Sequence, residues 1–464
     1  MPPRPRRCAP SRLRLPTTAR RSSRPRRRST PSSPAPEAGL LILFLSSLVS
    51  SGATAADEAP RDPNYHSVVT APGKRDLPAD RAVSTVTRRD LDERLPRSAP
   101  DALRYEPGVF VQQTGHGQGS AYLRGLTGQQ TLMLFDGIRM NNATYRQGPN
   151  QYFFTLDTRT IRSIEVQRGG GSTVWGSDAL GGIIDAHPVE PGGAADALRW
   201  TPKLFARGAT ADSESGGRLQ LDTAWRRDDG RPLRLLGGVG ARRVGRLRGR
   251  PVLNPNPDTP IGPLPWVPRY AEYDPLQPYA AQADRLRTQL GTGFNELTAD
   301  LRLVMDESPS RRLTLAGYGY RQYDSPRTDQ CPPPTAPTNQ CLVYEEQFRH
   351  FVYAALEDTW GPWTDSARLT VSWQDQHERR RRDLTAANVE LHGVDDVETW
   401  GVTARARGPA LILPGDISVA PRYGVDTYFD WVRSHAQHTY TDTHDTIIES
   451  RGQYINHAMY LYGG

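Results

Sequence analysis

From residue 198 onward the chain alternates apolar and polar positions in short segments. Residues 217–225 put Leu219, Leu221 and Trp225 on one side and Arg218, Gln220 and Asp222 on the other. Residues 296–305 set Leu297, Ala299, Leu301, Leu303 and Met305 against Thr298, Asp300 and Arg302. Residues 367–375 oppose Leu369, Val371 and Trp373 to Arg368, Thr370, Ser372 and Gln374, and residues 400–407 oppose Trp400, Val402, Ala404 and Ala406 to Thr403, Arg405 and Arg407. A period of two predicts strands with one wet and one apolar face. That is the pattern of a transmembrane β-barrel, whose closure satisfies every backbone group in lipid. A soluble β-sandwich alternates in the same way and is the competing fold.

Residues 122–185 have a different texture. Short apolar runs at 131–135, 163–167 and 182–185 are separated by glycine-dense corners, which predicts a small domain of short strands and tight turns. Asp136 followed by Gly137 is a hairpin-turn signal, because both central positions need positive φ. Upstream, Thr87 with Asp90 and Ser98 with Asp101 form two capping-box patterns that open short helices. Pro96 ends the first and Pro107 with Gly108 the second, and residues 108–113 follow as a strand. The chain therefore divides into residues 1–56, 57–75, 76–192 (an α+β domain) and 198–464 (the alternating strands).

Charge changes the picture of the first segment only. Residues 1–56 hold eleven Arg against Glu37, a net of +10, so the chain's +7 leaves −3 for residues 57–464. The basic balance thus belongs to the leader and does not point to nucleic acid. Residues 40–49 are an apolar run too short for a helical span, which needs ~20 residues. With the basic stretch before it and small residues at 53–56, the run predicts a secretory signal cleaved after Ala55 or Ala56. The basic stretch is long for a signal, and a start codon assigned too far upstream is the alternative. Export places Cys331 and Cys341, which flank a Pro-rich segment, in a disulfide-permitting compartment. A two-thiol metal site is the other reading. No Ser/His/Asp set, carboxylate pair or phosphate loop suggests catalysis, so no enzymatic activity and no cofactor is expected.

In order along the chain stand Arg124 and Gly125, Asp136 and Gly137, Ile164-Glu165-Val166, Arg168 and Gly169, and Gly176-Ser177 followed by Ala179-Leu180-Gly181-Gly182-Ile183. This succession resembles the plug domain of TonB-dependent outer-membrane receptors, over residues 65–190. The resemblance implies a plug inside a 22-stranded barrel in the outer membrane. It makes residues Tyr65, His66, Ser67, Val68, Val69, Thr70 and Ala71 the TonB box, an extended segment that adds as a strand to the periplasmic energy-coupling protein TonB. It makes Arg124, Glu165 and Arg168 the residues that pair with charges on the barrel wall. It points His116, Tyr145, Arg146, Gln151 and Tyr152, on two polar plug loops, toward the ligand. The implied partners are TonB, outer-membrane lipid and an extracellular iron chelate, a siderophore or haem. Cobalamin stands behind these.

Connection lengths fit a barrel, with short turns at 306–311 and 361–364 on the periplasmic rim and long stretches at 247–292, 324–343 and 379–391 outside. The basic run Arg379 to Arg382 suits an anionic ligand or lipid phosphates, or is simply solvated. His435, His438 and His444 fall in a further polar stretch; three imidazoles suggest metal or haem contact, although their spacing matches no metal-ligand signature. About ten strands follow residue 198 where plugged transporters have ~22, so the expectation is the N-terminal part of a longer receptor or a truncated gene. A non-transporting outer-membrane binding or structural protein is the second functional reading, and a secreted β-sandwich enzyme the third.

Overall fold

The computed structural model describes residues 82–144, 152–192, 198–248, 252–253, 265–266, 288, 291–328, 330, 340–360, 363–384, 389–413, 417–419, 421–441, 447–448 and 456–463. All lie in one compact unit.

The first domain is built around a five-stranded mixed sheet. Its strands are β1 (Ala82–Val86), β4 (Thr131–Phe135), β5 (Ile138–Arg139), β6 (Ile161–Arg168) and β7 (Gly182–Pro188), in the order β1-β6-β7-β4-β5. β4 and β7 are parallel and the other pairs antiparallel. A separate hairpin joins β2 (Val109–Gln112) to β3 (Ser120–Leu123). Helix α1 (Arg88–Arg94) starts where the sequence predicts. Thr87 accepts from the Asp90 N–H, and the Asp90 carboxylate accepts from the Thr87 N–H. The second expected helix shrinks to one 3-10 turn, Asp101–Leu103. Its N-cap is Pro100, which makes no side-chain cap, and Asp101 instead accepts from the Arg97 N–H. A short helix α2 (Ser172–Trp175) follows the glycines after β6.

The predicted Asp-Gly turn joins β4 to β5. Asp136 has φ 52 and Gly137 φ 75, both positive as the two-residue hairpin requires. β7 anchors this turn: Asp136 N–H donates to Ala186 O at 2.8 Å and Gly137 N–H to the Asp185 carboxylate at 3.1 Å.

The alternating segments become long antiparallel strands. They are β8 (Arg199–Ala209), β9 (Glu214–Arg226), β10 (Pro232–Val244), β13 (Phe294–Asp306), β14 (Arg312–Pro326), β15 (Gln340–Asp358), β16 (Ser366–Leu384), β17 (Val389–Arg407) and β20 (Arg422–Thr441). β21 (Ile447–Ile448) and β22 (Asn456–Gly463) both pair with β20, giving an 11-stranded sheet in chain order. Two small hairpins, β11 (Val252–Leu253) with β12 (Pro265–Trp266) and β18 (Leu411–Leu413) with β19 (Ile417–Val419), sit in the connections. Among the described residues the sheet is not closed, since β8 pairs only with β9.

Connection lengths follow the expected alternation only in part. The turns after β9, β13 and β15 are short, and residues 245–293 and 327–339 are long, as at the two rims of an outer-membrane barrel. One expectation changes. Residues 379–391 do not form a long loop: β16 and β17 pair up to Leu384 and Val389, and Arg379 to Arg382 are strand residues facing Val394, Gly393, His392 and Leu391. Cross-strand ion pairs such as Arg380 with Asp395, and Arg379 with Glu345 at 3.3 Å, let the charged run continue the ladder. His435 and His438 likewise lie on β20, and His444 falls outside the described residues.

The two faces of the large sheet have opposite chemistry. Leu219, Val239, Leu297, Leu301, Val352, Val371, Val402 and Val425 are exposed on one face. Exposed aromatic residues accompany them, Trp360, Trp363 and Tyr423 near the short-turn rim and Trp400, Phe429 and Trp431 along β17 and β20. An exposed apolar face backed by a buried polar one is the pattern of a lipid-facing barrel sheet. The other face carries Arg218, Gln220, Glu296, Thr298, Arg302, Gln347, Arg349, Thr370, Gln374, Glu378 and Asp430, all buried. The first domain covers this polar face.

Candidate functional site at the plug and wall contact

Charged side chains inside a protein must be paired, because desolvation otherwise dominates. The buried polar face therefore states where the small domain sits, and its partners fall at three levels.

Nearest the long-loop rim, His116 is buried. Its Nδ1 accepts from Gly293 N–H at 3.2 Å, and its Nε2 lies 3.3 Å from Asp212 in the β8–β9 turn. Asp212 is also held by Arg97 at 2.9 Å, and Arg242 donates to Arg97 O at 2.8 Å. Burial, with help from the Arg97 charge, lowers the His116 pKa to about 4, while Asp212 opposes the shift. His116 is thus a neutral imidazole carrying its proton on Nε2.

At the middle level Asp157 and Arg159 hold each other at 2.8 Å and reach Arg218 and Glu296 at 3.6 and 3.4 Å. Burial pushes the Asp157 carboxyl up, but Arg159 and Arg218 outweigh it and leave it below the usual carboxylate range. Tyr152 donates to Glu378 at 2.7 Å, Asn142 to Gln376 at 3.2 Å, and Ala143 N–H to Asp430 at 2.6 Å. Gln118 bonds Gln347, Gln322 and Ser325.

The third level, toward the short-turn rim, centres on the β4–β5 turn. Asp136 accepts from Tyr353 Oη at 2.6 Å and from Arg368 at 2.8 Å, with Arg302 at 3.4 Å. Arg405 donates to Gly137 O at 3.0 Å, and its guanidinium lies 4.2 Å from the centre of the Trp175 ring. Phe135 packs edge-on against Tyr318 and Phe351, so the apolar core of the small domain runs on into the large sheet.

The expected site residues fall differently from the expectation. Arg168 donates to Pro107 O and to Ser84 Oγ at 2.7 Å, and Glu165 lies 3.6 Å from His187; these partners belong to the small domain. Arg124 stands exposed on the turn after β3 with φ 52. Strand-end charges in a small sheet find partners on the next strand before they reach another domain. The wall contacts are made instead by Asp136, Asp157, Arg159, Arg97 and His116. The first of these had a sequence signal, but only as a turn former; its partners are 166 and 232 positions away in sequence. His116 and Tyr152, expected to face a ligand, are buried in bonds to the large sheet. Tyr145, Arg146, Gln151 and residues 65–71 lie outside the described residues. Cys341 is disulfide-bonded, and Cys331 lies outside the described residues.

A small mixed α+β domain, docked by buried ion pairs onto the polar face of a lipid-facing antiparallel sheet, defines a plugged outer-membrane protein. Residues 74–183 match the family model of the TonB-dependent receptor plug domain. An iron-regulated outer membrane virulence protein of Vibrio cholerae is 36% identical over 151 residues, covering 31% of this chain and 22% of the relative. The vitamin B12 transporter BtuB of Photobacterium profundum is 34% identical over 104 residues, covering 22% and 17%. Among solved structures, the copper transporter OprC aligns with a TM-score of 0.55 at 12% identity, over 82% of this chain and 52% of that one. The chain thus spans about half the length of that structure and less of the curated relatives in these matches. Residues 74–183 therefore form a TonB-dependent receptor plug domain, and the sheet after it shares the fold of part of an outer-membrane transporter barrel. Its place is the outer membrane.

Proposed function

We propose that the receptor takes up an iron chelate, a siderophore or haem, across the outer membrane, with the plug as a gate released through TonB. The observation that carries this reading is the character of the plug's hold on the wall. Between His116, Asp157, Arg159 and Asp136 and their partners it runs through polar contacts. Such contacts are specific, and water replaces them on opening, so a pulled plug can leave and return. A purely apolar seat of the same area would resist release. Residues 65–71 supply the extended segment that pairs with TonB, and residues 145–151 with the long connections 245–293 and 327–339 supply the ligand contacts. Iron cargo is supported by the iron-regulated relative.

Cobalamin is the second reading, favoured by the BtuB match. That match covers a plug-length stretch, and cargo choice belongs to the loops.

Uptake of radiolabelled ferric siderophore, haem iron and labelled cyanocobalamin by cells expressing the receptor, with and without residues 65–71, tests both readings. The deletion is expected to abolish uptake while ligand still binds at the surface. Undiminished uptake by the deleted form overturns the gated reading, and uptake of cyanocobalamin alone overturns the iron reading.

A further inference from the structure

Asp136 sits in a socket that is more elaborate than a latch requires. Tyr353 Oη and Arg368 Nη2 meet its Oδ2 at 2.6 and 2.8 Å, Arg302 Nη1 stands 3.4 Å from the same oxygen, and Arg368 Nη1 lies 3.4 Å from Oδ1. Three wall side chains therefore converge on one carboxylate. Arg302 and Tyr353 are almost wholly buried. Glu190, at 2.6 Å from Arg302, and Glu357, at 3.1 Å from Arg368, hold the other edges of the two guanidiniums. Both are about a third exposed, so solvent screens them. Arg302 Nη1 also donates to Tyr353 Oη, and Arg368 Nη1 is shared with Glu357, so Arg368 Nη2 and the Tyr353 hydroxyl are the donors directed at Asp136 alone. Two guanidiniums and a phenol arranged in this way are a carboxylate receptor.

The occupant comes from a tight turn of the plug. Asp136 is the first residue of a two-residue turn, and its side chain is delivered edgewise into the wall. Withdrawal of that turn leaves Arg302, Tyr353 and Arg368 fixed on β13, β15 and β16 respectively, strands joined in register. A pair of buried cations facing a newly opened path needs a new counter-ion.

We propose that Arg302, Arg368 and Tyr353 form a carboxylate-binding site in the wall, that Asp136 fills it while the plug is seated, and that a carboxylate from outside the chain fills it when the turn withdraws. A passing cargo bearing carboxylates is one source and a free small anion the other. The cargo step rests on the uptake reading; the socket itself does not.

Chemical rescue of the full chain tests the socket apart from any transport. Asp136→Ala empties it without touching the wall. The temperature at which half of the plug becomes sensitive to trypsin is measured in detergent, in sodium formate and in sodium chloride of equal ionic strength. Formate is expected to raise that temperature by about 2–4 °C for Asp136→Ala. It is expected to leave unchanged both the wild type, whose socket is filled, and Asp136→Ala combined with Arg302→Gln and Arg368→Gln, whose socket is gone. An equal response in all three, or none in Asp136→Ala, overturns the proposal. If Asp136→Ala does not fold in chloride, refolding yield replaces the midpoint: recovery in formate supports the site, and failure in both salts overturns it. Citrate run beside formate separates the sources. Rescue by both admits a bulky carboxylate-bearing cargo, whereas rescue by formate alone restricts the socket to small free anions.

Discussion

His116 shows how a residue type that suggests ligand contact takes a structural place once its surroundings are known. In sequence it lies in a Gly-rich polar loop, and a lone His there fits chelate or haem contact equally well. In the fold its two nitrogens meet Gly293 and Asp212, and burial, followed by the nearby Arg97 and Arg242 charges, disfavours the imidazolium. The sign of its pH effect follows. The folded pKa is about 4 against 6.5 for the free group, so between these values the unfolded chain binds the extra proton. Its stabilising contribution is therefore full above pH 6.5, falls as the pH drops toward 4 and levels off below. Protease protection of the plug, followed from pH 7 to 4, is expected to fall more steeply for the wild type than for His116→Gln; parallel curves would show that the imidazole is not the titrating group. Tyr152 was legible as a polar-tipped aromatic, but its partner Glu378 is 226 positions away, and nothing local specifies such a pairing.

Among elements, the short strands and tight corners of the plug were legible because turn chemistry is local. Gly182 is the sharpest case. Its φ is +153, and a Cβ there would lie 2.2 Å from Gln167 O on the neighbouring strand β6. Backbone conformation and close approach both demand glycine. Gly182→Ala is expected to destabilise the plug by at least ~2 kcal/mol. The readout is early proteolysis of plug residues with the large sheet still assembled; a wild-type digestion pattern would sink this account. The helix expected at Ser98 was not legible in full, since a capping pattern alone does not fix helix length and Pro100 opens a single 3-10 turn. The basic run Arg379 to Arg382 suggested a loop because charge runs are usually solvated. Its acidic counterparts on β15 and β17 make it strand, and that complementarity appears only with the register.

For the whole molecule, the period of two fixed which residues share a face but not which face meets lipid. The docked plug decides that, because it buries Arg218, Glu296, Glu378 and Asp430 and leaves Val371 and Val402, paired across β16 and β17, on the outside. Val402→Arg is expected to cost ~2–4 kcal/mol of membrane stability, as for a cation placed near the bilayer midplane. Thr403→Arg, one residue on, would instead clash with the plug. Folding titrations in lipid vesicles separate the two: Val402→Arg lowers the stability of the sheet, while Thr403→Arg loosens the plug. Insertion of Val402→Arg at wild-type stability would remove this face from the bilayer.

The sequence by itself determined the strand periodicity, the Asp136 and Gly137 turn, the glycine corners and the order of motifs that mark a plug, because each depends on residues a few positions apart. Only the tertiary structure decided which charges join plug to wall. Those pairs link residues from 61 positions apart (Asp157 and Arg218) to 232 apart (Asp136 and Arg368), and burial selects them: once the polar face is closed off from water, each charge must meet an opposite one. That requirement makes Asp136, a turn residue in sequence, the carboxylate around which Arg302, Arg368 and Tyr353 converge.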